Sequence, residues 1–372
     1  MKVDNGAYFT TAHLIIQLGL ERKRLACFSI QGAGGTPALQ SLLECLAMKA
    51  MILAAGFGER LWPLTADRTK AALPVLGKPL VGYVAEYLAR QGIDEAVVNL
   101  HHQPESVRAS LGDGRRFGLR LSYVHEPAIL GTSGALDNAR AFFEDETFVV
   151  VNGKIITDID LRGALQTHRD AGAIATLVLK ENAARERFSV VETHNGLVTR
   201  FAGMPDAELQ PGESPLMFTG IQILEPRIFQ FIPRGVFSHS TTNVYPQAIA
   251  RGERLAAHVG EGMWYELSTL QRYLDISLAL LTAQARNVYV GNQSRIENDA
   301  HVRDSVLWDN VVISDDATVF RSVIGDGVHV GASERIQNAV VVRREVVEGK
   351  AAPRRALKGH LEGDKFVTPL TQ

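Results

Sequence analysis

Residues 53–65 read LAAGFGERLWPLT and carry the most specific pattern in the chain. The apolar residues 51–53 lead into this stretch and predict a buried strand. Gly56 and Gly58 then allow the backbone to turn tightly and to approach a ligand closely. Their amide groups can bind phosphate oxygens. The stretch therefore predicts a strand that ends in a phosphate-binding loop.

Two cationic residues accompany this loop. Arg60 follows two residues after the second glycine and presents a fork of donors to a charged diphosphate. Lys70 lies ten residues further on, in the segment TKAALPV of residues 69–75. A glycine loop alone is a weak signal, whereas Gly-x-Gly-x-Arg-Leu-x-Pro-Leu-Thr followed by Lys-x-x-x-Pro is a specific one. The alternative, an ordinary strand-to-helix turn, requires the whole pattern to be accidental.

The combined pattern resembles the signature of the nucleotide-sugar pyrophosphorylases, also called sugar-phosphate nucleotidyltransferases. The resemblance implies that the loop holds a nucleoside triphosphate, and that Arg60 and Lys70 grip its phosphates as catalytic residues. The loop residues that are expected to bind the nucleotide are Leu53, Ala54, Ala55, Gly56 and Gly58.

Length and composition set the broad class of the protein. The chain has 372 residues, enough for two domains, with 46% hydrophobic and 22% charged residues as in ordinary globular proteins. The net charge of −2 does not indicate nucleic acid or an anionic membrane as a partner, and no apolar run approaches the ~18 residues of a membrane span. Both cysteines, Cys27 and Cys45, precede the glycine loop, so no disulfide framework is expected after it. These properties predict a cytoplasmic enzyme.

Residues 1–47 differ from the rest of the chain. Their short apolar run, residues 13–20, is followed by the charged residues 21–24, whereas a secretory signal has its positive charge first. Because Met48 lies just before the predicted first strand, we expect translation to begin there and the preceding residues to be a mis-assigned or disordered extension. A regulatory or docking arm is the alternative.

Apolar runs alternate with helix-like stretches from about residue 48 to residue 285. Predicted strands include residues 96–100, 148–151 and 175–179, and residues 81–91 have helical spacing. This alternation predicts an α/β domain with a Rossmann-like, mixed but mostly parallel sheet. In such sheets ligands bind beyond the carboxyl ends of the strands, where the glycine loop falls.

A second glycine loop, LGTSGAL of residues 130–136, follows a predicted strand that ends near Glu126. It resembles the Gly-Thr-x-Gly-Ala-Leu element of the family, whose backbone packs against the nucleobase. The resemblance implies that Glu126, Gly131, Thr132 and Gly134 bind the nucleotide. A simple helix N-terminus is the alternative.

The third element, NGKIITDID of residues 152–160, departs from the family pattern. The usual sequence is Asn-Gly-Asp, whose aspartate binds Mg²⁺, but this chain has Lys154 in that place. Magnesium prefers oxygen ligands, and an ammonium group has no lone pair to offer. Three interpretations stay open: Lys154 puts its own charge where the metal would sit, Asp158 or Asp160 reaches the metal instead, or the site is impaired and the protein is regulatory.

A second metal-binding position is expected in residues 263–269, which read MWYELST where the family prefers Trp-x-Asp-Ile-Gly-Thr. Glu266 keeps the carboxylate of the family aspartate but is one methylene longer. The resemblance therefore implies Mg²⁺ as a cofactor with Glu266 as a ligand and Asp158 as a second candidate, although Lys154 weakens this expectation. A plain hydrogen-bonded glutamate is the alternative.

The sugar side of the site also departs from the family. The expected Glu-Lys-Pro is missing, so the identity of the sugar cannot be inherited from the resemblance. Lys180 and Arg187 are the nearest basic candidates for the sugar phosphate, and a solvated surface charge is the alternative for each. Gly220 lies within a predicted strand, where a glycine permits the close approach of a ligand. The residues expected to bind the sugar are Asn152, Gly153, Lys180, Arg187 and Gly220.

The resemblance implies a direct displacement, in which a sugar-1-phosphate oxygen attacks the α-phosphorus of a nucleoside triphosphate and pyrophosphate leaves. The pattern is similar to mannose-1-phosphate guanylyltransferases and to glucose-1-phosphate thymidylyl- or uridylyltransferases, and we slightly favour the mannose and guanosine type. The alternative is a catalytically impaired homologue that binds a nucleotide sugar and regulates a partner. Lys154 and the missing Glu-Lys-Pro favour that alternative, whereas Arg60, Lys70 and Glu266 favour the enzyme.

Residues 287–345 are periodic. Apolar residues recur at steps of six, six and five, so that positions 290, 307, 324 and 341 repeat every 17 residues. Such hexapeptide spacing predicts a parallel β-helix, and the resemblance implies a left-handed one of about three coils. We expect it to act as a scaffold that builds a homo-oligomer, and residues 346–372 to form a loose tail.

Overall fold

The structure is a computed structural model that describes residues 48–184, 186, 188–201 and 215–370. The N-terminal extension and Arg187, on which two predictions fall, lie outside the described residues. The described chain consists of an α/β part followed by a β-helical part.

The strands of the α/β part are, in chain order, β1 (Lys49–Leu53), β2 (Pro74–Val75), β3 (Lys78–Pro79), β4 (Glu95–Leu100), β5 (Arg120–His125), β6 (Phe148–Asn152), β7 (Ile155–Thr157), β8 (Ala175–Glu181), β9 (Val191–His194), β10 (Leu197–Phe201), β11 (Leu216–Leu224), β12 (Leu255–Val259) and β13 (Trp264–Glu266). Its helices are α1 (Leu80–Arg90), α2 (Pro104–Leu111), α3 (Gly131–Asn138), α4 (Leu161–Asp170), α5 (Tyr245–Ala250) and α6 (Leu270–Thr282). None of the helices in the described part of the chain has the length and apolarity that a membrane span requires.

A nine-stranded sheet in the order β5-β4-β1-β6-β11-β8-β12-β10-β9 forms the centre of this part. Strands β10 and β11 run opposite to the other seven strands, so the sheet is mixed but mostly parallel, as predicted. The four strands β5, β4, β1 and β6 are all parallel neighbours. Their carboxyl ends therefore meet at one edge of the sheet.

Helices cover both faces of this sheet because its central strands are buried on both sides. Met51 and Ile52 of β1 point to opposite faces, and both are fully buried. Helices α1, α2 and α4 pack against one face, and α3 and α5 pack against the other. The predicted α/β class is confirmed.

A small antiparallel ribbon stands beside the carboxyl ends of the central strands. In it β7 pairs with β13, so that Ile155 lies opposite Glu266. One residue further along, the amide of Leu267 donates to the carbonyl oxygen of Lys154 at 2.9 Å. The ribbon thus joins the segment after β6 to the segment before α6.

The β-helical part is built from short strands that stack in parallel. They are β14 (Val288–Val290), β15 (Arg295–Ile296), β16 (His301–Arg303), β17 (Ser305–Leu307), β18 (Val312–Ile313), β19 (Thr318–Phe320), β20 (Val323–Ile324), β21 (His329–Val330), β22 (Arg335–Gln337) and β23 (Ala339–Arg343). Three parallel sheets result, in the orders β14-β17-β20-β23, β15-β18-β21 and β16-β19-β22. They form the three faces expected for the left-handed β-helix.

The corners of the β-helix explain the 17-residue period. Residues with positive φ occur where one face turns into the next, and they recur with this spacing at Asp304, Arg321 and Asn338. A second series runs through Gln293, Asn310 and Gly327. Glycine, asparagine and aspartate tolerate this left-handed conformation better than other residues, which accounts for most of these positions.

Apolar side chains fill the interior of the prism at the predicted positions. Leu307, Ile324 and Val341 are fully buried, whereas Val290 and Ile296 are each 37% exposed. The two exposed residues belong to the first coil, which has no coil beneath it. The prism is therefore closed by packing along most of its length and open at its first coil.

The outer face of one sheet packs against the α/β part. Val306, Val323 and Val340 lie in one apolar cluster with residues of α6 and with Leu61 and Trp62 of the glycine loop. Trp308 contributes a hydrogen bond from its indole nitrogen to the hydroxyl of Tyr273 at 2.8 Å. The β-helix thus supports the loop that carries the predicted site.

The segment after the repeat is not the loose tail that the sequence predicted. It forms α7 (Arg344–Val347), β24 (His360–Glu362) and β25 (Lys365–Pro369). Strand β25 pairs antiparallel with β23 over five residues, and β24 pairs with β25. The segment is ordered because β25 pairs with the edge of β23, which its charged and glycine-rich sequence did not indicate.

Candidate active site

A cleft of about 260 Å³ lies at the carboxyl ends of β1, β4, β5 and β6. Its walls come from both predicted glycine loops, from the end of β6 and from two segments that the sequence analysis did not single out. The lining residues are Leu53, Ala54, Ala55, Gly56, Lys70, Ala71, Asn99, Glu126, Ile129, Gly131, Thr132, Asn152, Gly153, Lys154 and His239. The structure therefore brings together most of the residues that were predicted to bind the nucleotide.

Gly58 fixes the position of Lys70 against the first glycine loop. Its φ is +70°, and a Cβ placed on it would lie 2.8 Å from Cβ of Lys70. Any larger residue would therefore push the lysine away from the loop. Gly56 has no atom within 4 Å of such a Cβ, so its backbone faces open space beside the cleft.

The two predicted cations occupy different environments. Lys70 lines the cleft and is partly buried, whereas Arg60 is exposed and is not among the cleft residues. Burial and the positive charge of Lys154 lower the pKa of Lys70 to about 7, the carboxylate of Glu266 opposes this shift, and Arg60 adds to it. The charge of Arg60 therefore acts on Lys70 although Arg60 is not one of the residues that line the cleft.

A neighbouring segment presses on the second glycine loop. Gly131 has a φ of +74°, and a Cβ on it would lie 2.4 Å from the carbonyl oxygen of Ser238, while one on Gly134 would lie 2.7 Å from that of Val236. The amides of Ser133 and Gly134 donate to the same Ser238 oxygen at 3.1 and 3.2 Å. The glycines are needed because two backbone segments meet here.

His239 is a cleft residue that the sequence analysis missed. Its Nδ1 accepts from the amide of Thr132 at 3.3 Å and lies 3.4 Å from the hydroxyl oxygen of the same residue. The two residues are 107 positions apart in the chain, and no local pattern marks a histidine of this kind.

A buried polar network ties the two glycine loops together. Oδ1 of Asn99 accepts from the amide of Ala54 at 2.7 Å, and its Nδ2 donates to Oε1 of Glu126 at 2.6 Å. Oε2 of Glu126 in turn accepts from the amide of Leu130 at 3.1 Å. Asn99 was not predicted, yet it connects β1, β4 and the loop before α3 at the cleft.

The predicted sugar residues at the end of β6 are in contact with β11. A Cβ on Gly220, whose φ is +84°, would lie 2.1 Å from Nδ2 of Asn152, so only glycine admits that amide. The amide of Gly153 donates to the carbonyl oxygen of Leu53 at 2.9 Å. Asn152 and Gly153 line the cleft, and Gly220 supports them from the neighbouring strand.

Lys180 does not join the cleft. Its Nζ donates to the carbonyl oxygen of Gly262 at 2.7 Å, and the residue is absent from the cleft walls. An aromatic pair that the sequence analysis missed stands nearby, because the rings of Phe188 and Trp264 meet edge to face with centroids 5.4 Å apart. Lys180 thus ties down the segment before β13.

Lys154 forms an ion pair with Glu266, the residue that was expected to bind the metal. The carboxylate is only 8% exposed, while the lysine side chain is 35% exposed and lines the cleft. Burial alone would raise the pKa of Glu266, but the charge and the hydrogen bond of Lys154, together with Lys70, lower it. The carboxylate is therefore ionised and already has a cation.

The other predicted metal ligands are also engaged elsewhere. Oδ1 of Asp158 accepts from the amide of Met263 at 2.6 Å. Asp160 caps the N-terminus of α4 and pairs with Arg162. Across the described ranges, no group of three His, Cys, Asp or Glu side chains could hold a metal ion. The residues present do not fit a magnesium ion held by protein side chains.

Comparison with known proteins places this geometry among nucleotide-handling enzymes. A family model described as nucleotidyl transferase matches residues 49–283. A second one, described as the GMPPB C-terminal domain, matches residues 283–352. The first match alone covers more than half of the chain.

Individual relatives agree with this result. A UTP–glucose-1-phosphate uridylyltransferase of Synechocystis is 31% identical over 79% of this chain and 76% of its own length. A mannose-1-phosphate guanylyltransferase of Mycobacterium tuberculosis is 26% identical over 78% of this chain and 79% of its own length. The crystal structure of HddC from Yersinia pseudotuberculosis matches with a TM-score of 0.54 at 21% identity, covering 63% of this chain and 99% of HddC, which shows a shared fold.

Proposed function

Because the chain belongs to the nucleotidyl transferase family, we propose that it joins a sugar 1-phosphate to a nucleoside triphosphate and releases pyrophosphate. The observation that carries this proposal is the convergence of two glycine loops, Lys70 and Lys154 on one cleft. The backbone supplies amide donors, and the lysines supply positive charge where phosphates would lie. A non-catalytic regulatory role gains no better support from the relatives.

The reaction is a single displacement at the α-phosphorus of the triphosphate. A phosphate oxygen of the sugar 1-phosphate forms the new P–O bond, the bond to the bridging oxygen of the β-phosphate breaks, and pyrophosphate carries that oxygen away. Arg60 and Lys70 offset the charge that accumulates on the phosphates. The glycine loops hold the nucleotide so that attack and departure are aligned.

Guanosine and mannose are the substrates that we propose for this cleft. The buried carboxylate of Glu126 lines it, and each of its oxygens accepts one hydrogen bond and can accept another. Guanine presents adjacent N–H donors on its Watson–Crick edge, which suits a pure acceptor. Guanylyltransferases of mannose 1-phosphate are among the relatives, as is a uridylyltransferase of glucose 1-phosphate, which defines the competing pair.

Nucleotidyltransferases of this family typically use a divalent metal. In this chain we place Mg²⁺ on the triphosphate as its counterion, because Glu266 and Asp158 are engaged with Lys154 and Met263.

Nucleoside triphosphates and sugar phosphates are cytoplasmic metabolites, so we propose a cytoplasmic location. We also propose a homo-oligomer that forms through the open first coil of the β-helix, where Val290 and Ile296 are exposed.

A substrate panel tests this proposal. Purified protein is incubated with GTP, UTP or dTTP, with mannose 1-phosphate or glucose 1-phosphate, and with Mg²⁺, and pyrophosphate release is measured. We expect release, fastest with GTP and mannose 1-phosphate. Arg60→Ala and Lys70→Ala should each reduce turnover on the order of a hundredfold, whereas Arg335→Ala on the β-helix should not. If no pair releases pyrophosphate while a nucleotide sugar still binds, the regulatory alternative takes its place.

A further inference from the structure

We propose that the Lys154–Glu266 ion pair is a resident cation site, in which the ammonium group replaces a protein-held divalent metal in contacting the phosphates. The inference rests on the proposed function for the identity of the anion, but the cation site itself rests on the structure alone.

The backbone fixes this pair in place. The pairing of β7 with β13 lets the amide of Leu267 donate to the carbonyl oxygen of Lys154. This hydrogen bond places the side chain of Lys154 beside that of Glu266, although the two residues are 112 positions apart. Nε of Arg272 donates to the carbonyl oxygen of Glu266 at 3.0 Å and holds the far side of the ribbon. The pair is therefore part of the fold rather than a chance encounter of two long side chains.

The two partners differ in what they expose. Glu266 is nearly buried, whereas Lys154 is about one-third exposed, and it lines the cleft next to Asn152 and Gly153. A lysine ammonium carries three donors, of which the carboxylate takes one. The remaining donors can face a phosphate oxygen in the cleft.

A divalent ion at the carboxylate would lie beside this ammonium, which already contacts Oε1 of Glu266 and repels a second cation. Magnesium takes six oxygen ligands, and Glu266 is the carboxylate that the ribbon brings to this position. The ammonium is attached to the chain, so its local concentration does not fall when free metal is removed. Competition therefore favours the lysine, and a metal remains useful as a companion of the free triphosphate.

Direct metal binding provides the first test. Mn²⁺ is titrated into the nucleotide-free full-length protein, and bound ion is measured by the loss of the free-ion EPR signal. Wild type is expected to bind no stoichiometric Mn²⁺. Lys154→Asp should gain one stoichiometric Mn²⁺ site, with an affinity at least about tenfold above any residual binding by the wild type. The double variant with Glu266→Gln should lose this site again. One Mn²⁺ bound by wild type and abolished by Glu266→Gln would overturn the proposal.

Ligand binding provides the second test and stands if Lys154→Asp fails to fold. GDP-mannose and UDP-glucose are titrated calorimetrically in EDTA and then in Mg²⁺. The affinity of the wild type for the tighter ligand should change less than about threefold between the two, and Lys154→Met should lose about tenfold in both. A wild type that binds only when Mg²⁺ is present would contradict the resident cation.

The two tests separate this inference from the proposed function. Failure of the proposed function shows as absent pyrophosphate release, whatever Mn²⁺ does. Failure of the resident cation shows as metal binding at Glu266, whatever the turnover is.

Discussion

Lys70 lies in an environment that would favour an anionic ligand. Its side chain is desolvated and lies near two other positive charges, Lys154 and Arg60, so the proton is held weakly in the ligand-free protein. A triphosphate in the cleft would reverse this balance, because its negative charges favour the ammonium form. An anion bound in the cleft would therefore raise the pKa of Lys70 and stabilise its ammonium form.

A pH dependence of nucleotide binding follows from this state. The pKa of Lys70 is lowered to about 7, so the residue is protonated below that pH and loses its proton as the pH rises through it. The protonated form binds phosphate, and affinity for GTP should therefore fall, by up to about tenfold per pH unit above 7. Calorimetry from about pH 6 to 9 measures the decline. Lys70→Arg should remain charged and give a flat profile, and an equally flat wild-type profile would contradict the assignment.

Gly220 gives a second prediction at this scale, with a matched control in the same chain. Gly220→Ala places a Cβ 2.1 Å from Nδ2 of Asn152, whereas Gly252→Ala, at a similar φ of +81°, meets nothing within 4 Å. Backbone strain of about 1–2 kcal/mol is common to both. Gly220→Ala should cost at least about 1 kcal/mol more in the free energy of unfolding, measured by urea denaturation, and should weaken sugar binding. Equal losses for the two variants would mean that the Asn152 contact does not matter.

At the scale of elements, the site is assembled by strand ends that are held in register. Asn99 at the end of β4 contacts both Ala54 after β1 and Glu126 after β5. Parallel pairing alone would bring these ends near each other, but the amide sets their spacing. The cleft therefore depends on a polar side chain that touches no reacting atom in the proposed chemistry.

Asn99→Ala tests this role. The change leaves the amide of Ala54 and Oε1 of Glu126 without the partner that Asn99 gives them in a buried environment, which should destabilise the fold by about 1–3 kcal/mol. Nucleotide affinity should fall as well, since both loops lose their common tie. Thermal unfolding and GTP titration measure the two effects, with the exposed Gln166→Ala on α4 as the control. Unchanged GTP affinity would show that the loops are positioned without the network.

The sequence predicted those elements whose signal is local. The glycine loops, the buried strands and the hexapeptide spacing each depend on neighbouring residues, so they could be recognised one at a time. His239 beside Thr132 and Glu266 beside Lys154 depend on pairings more than a hundred positions apart. Glu266 was predicted to bind a metal from its resemblance to the family aspartate. No local pattern showed that the β7–β13 ribbon brings Lys154 to its carboxylate.

The order of residues 346–370 could not be predicted for a related reason. Strand β25 is stable because β23 offers it a hydrogen-bonding edge, and that edge is a property of the folded repeat. Phe366 adds a second distant contact, since its ring packs against that of Trp62 with centroids 5.0 Å apart. Taken alone, the segment has the composition of a loop.

At the scale of the whole molecule, side-chain contacts join the β-helix to the loop beside the cleft. Arg68, in the loop that carries Arg60 and Lys70, pairs with Asp326 of the β-helix at 2.8 Å and lies over the ring of Trp308 at 5.1 Å. The loop is thus held from outside the α/β part. Displacement of the β-helix would move the cations of the site.

The proposed oligomer depends on the exposed apolar residues of the first coil. Ile296→Glu places a charge in the apolar mouth of the first coil and should convert the proposed oligomer into monomers with little change in the thermal stability of each chain. Analytical ultracentrifugation measures the assembly, and Glu297→Gln next to it is the control. A wild type that sediments as a monomer, or a variant that assembles as wild type does, would refute assembly through this end.

The strand that covers β23 also limits how this chain can change over evolutionary time. A parallel coil added after the last one would need the edge that β25 already occupies in the opposite direction. A further coil could therefore be added at the open first coil or inserted between existing coils, but not after β23. The hairpin of β24 and β25 covers the last coil. Related chains with longer β-helices should therefore keep this hairpin after their last coil.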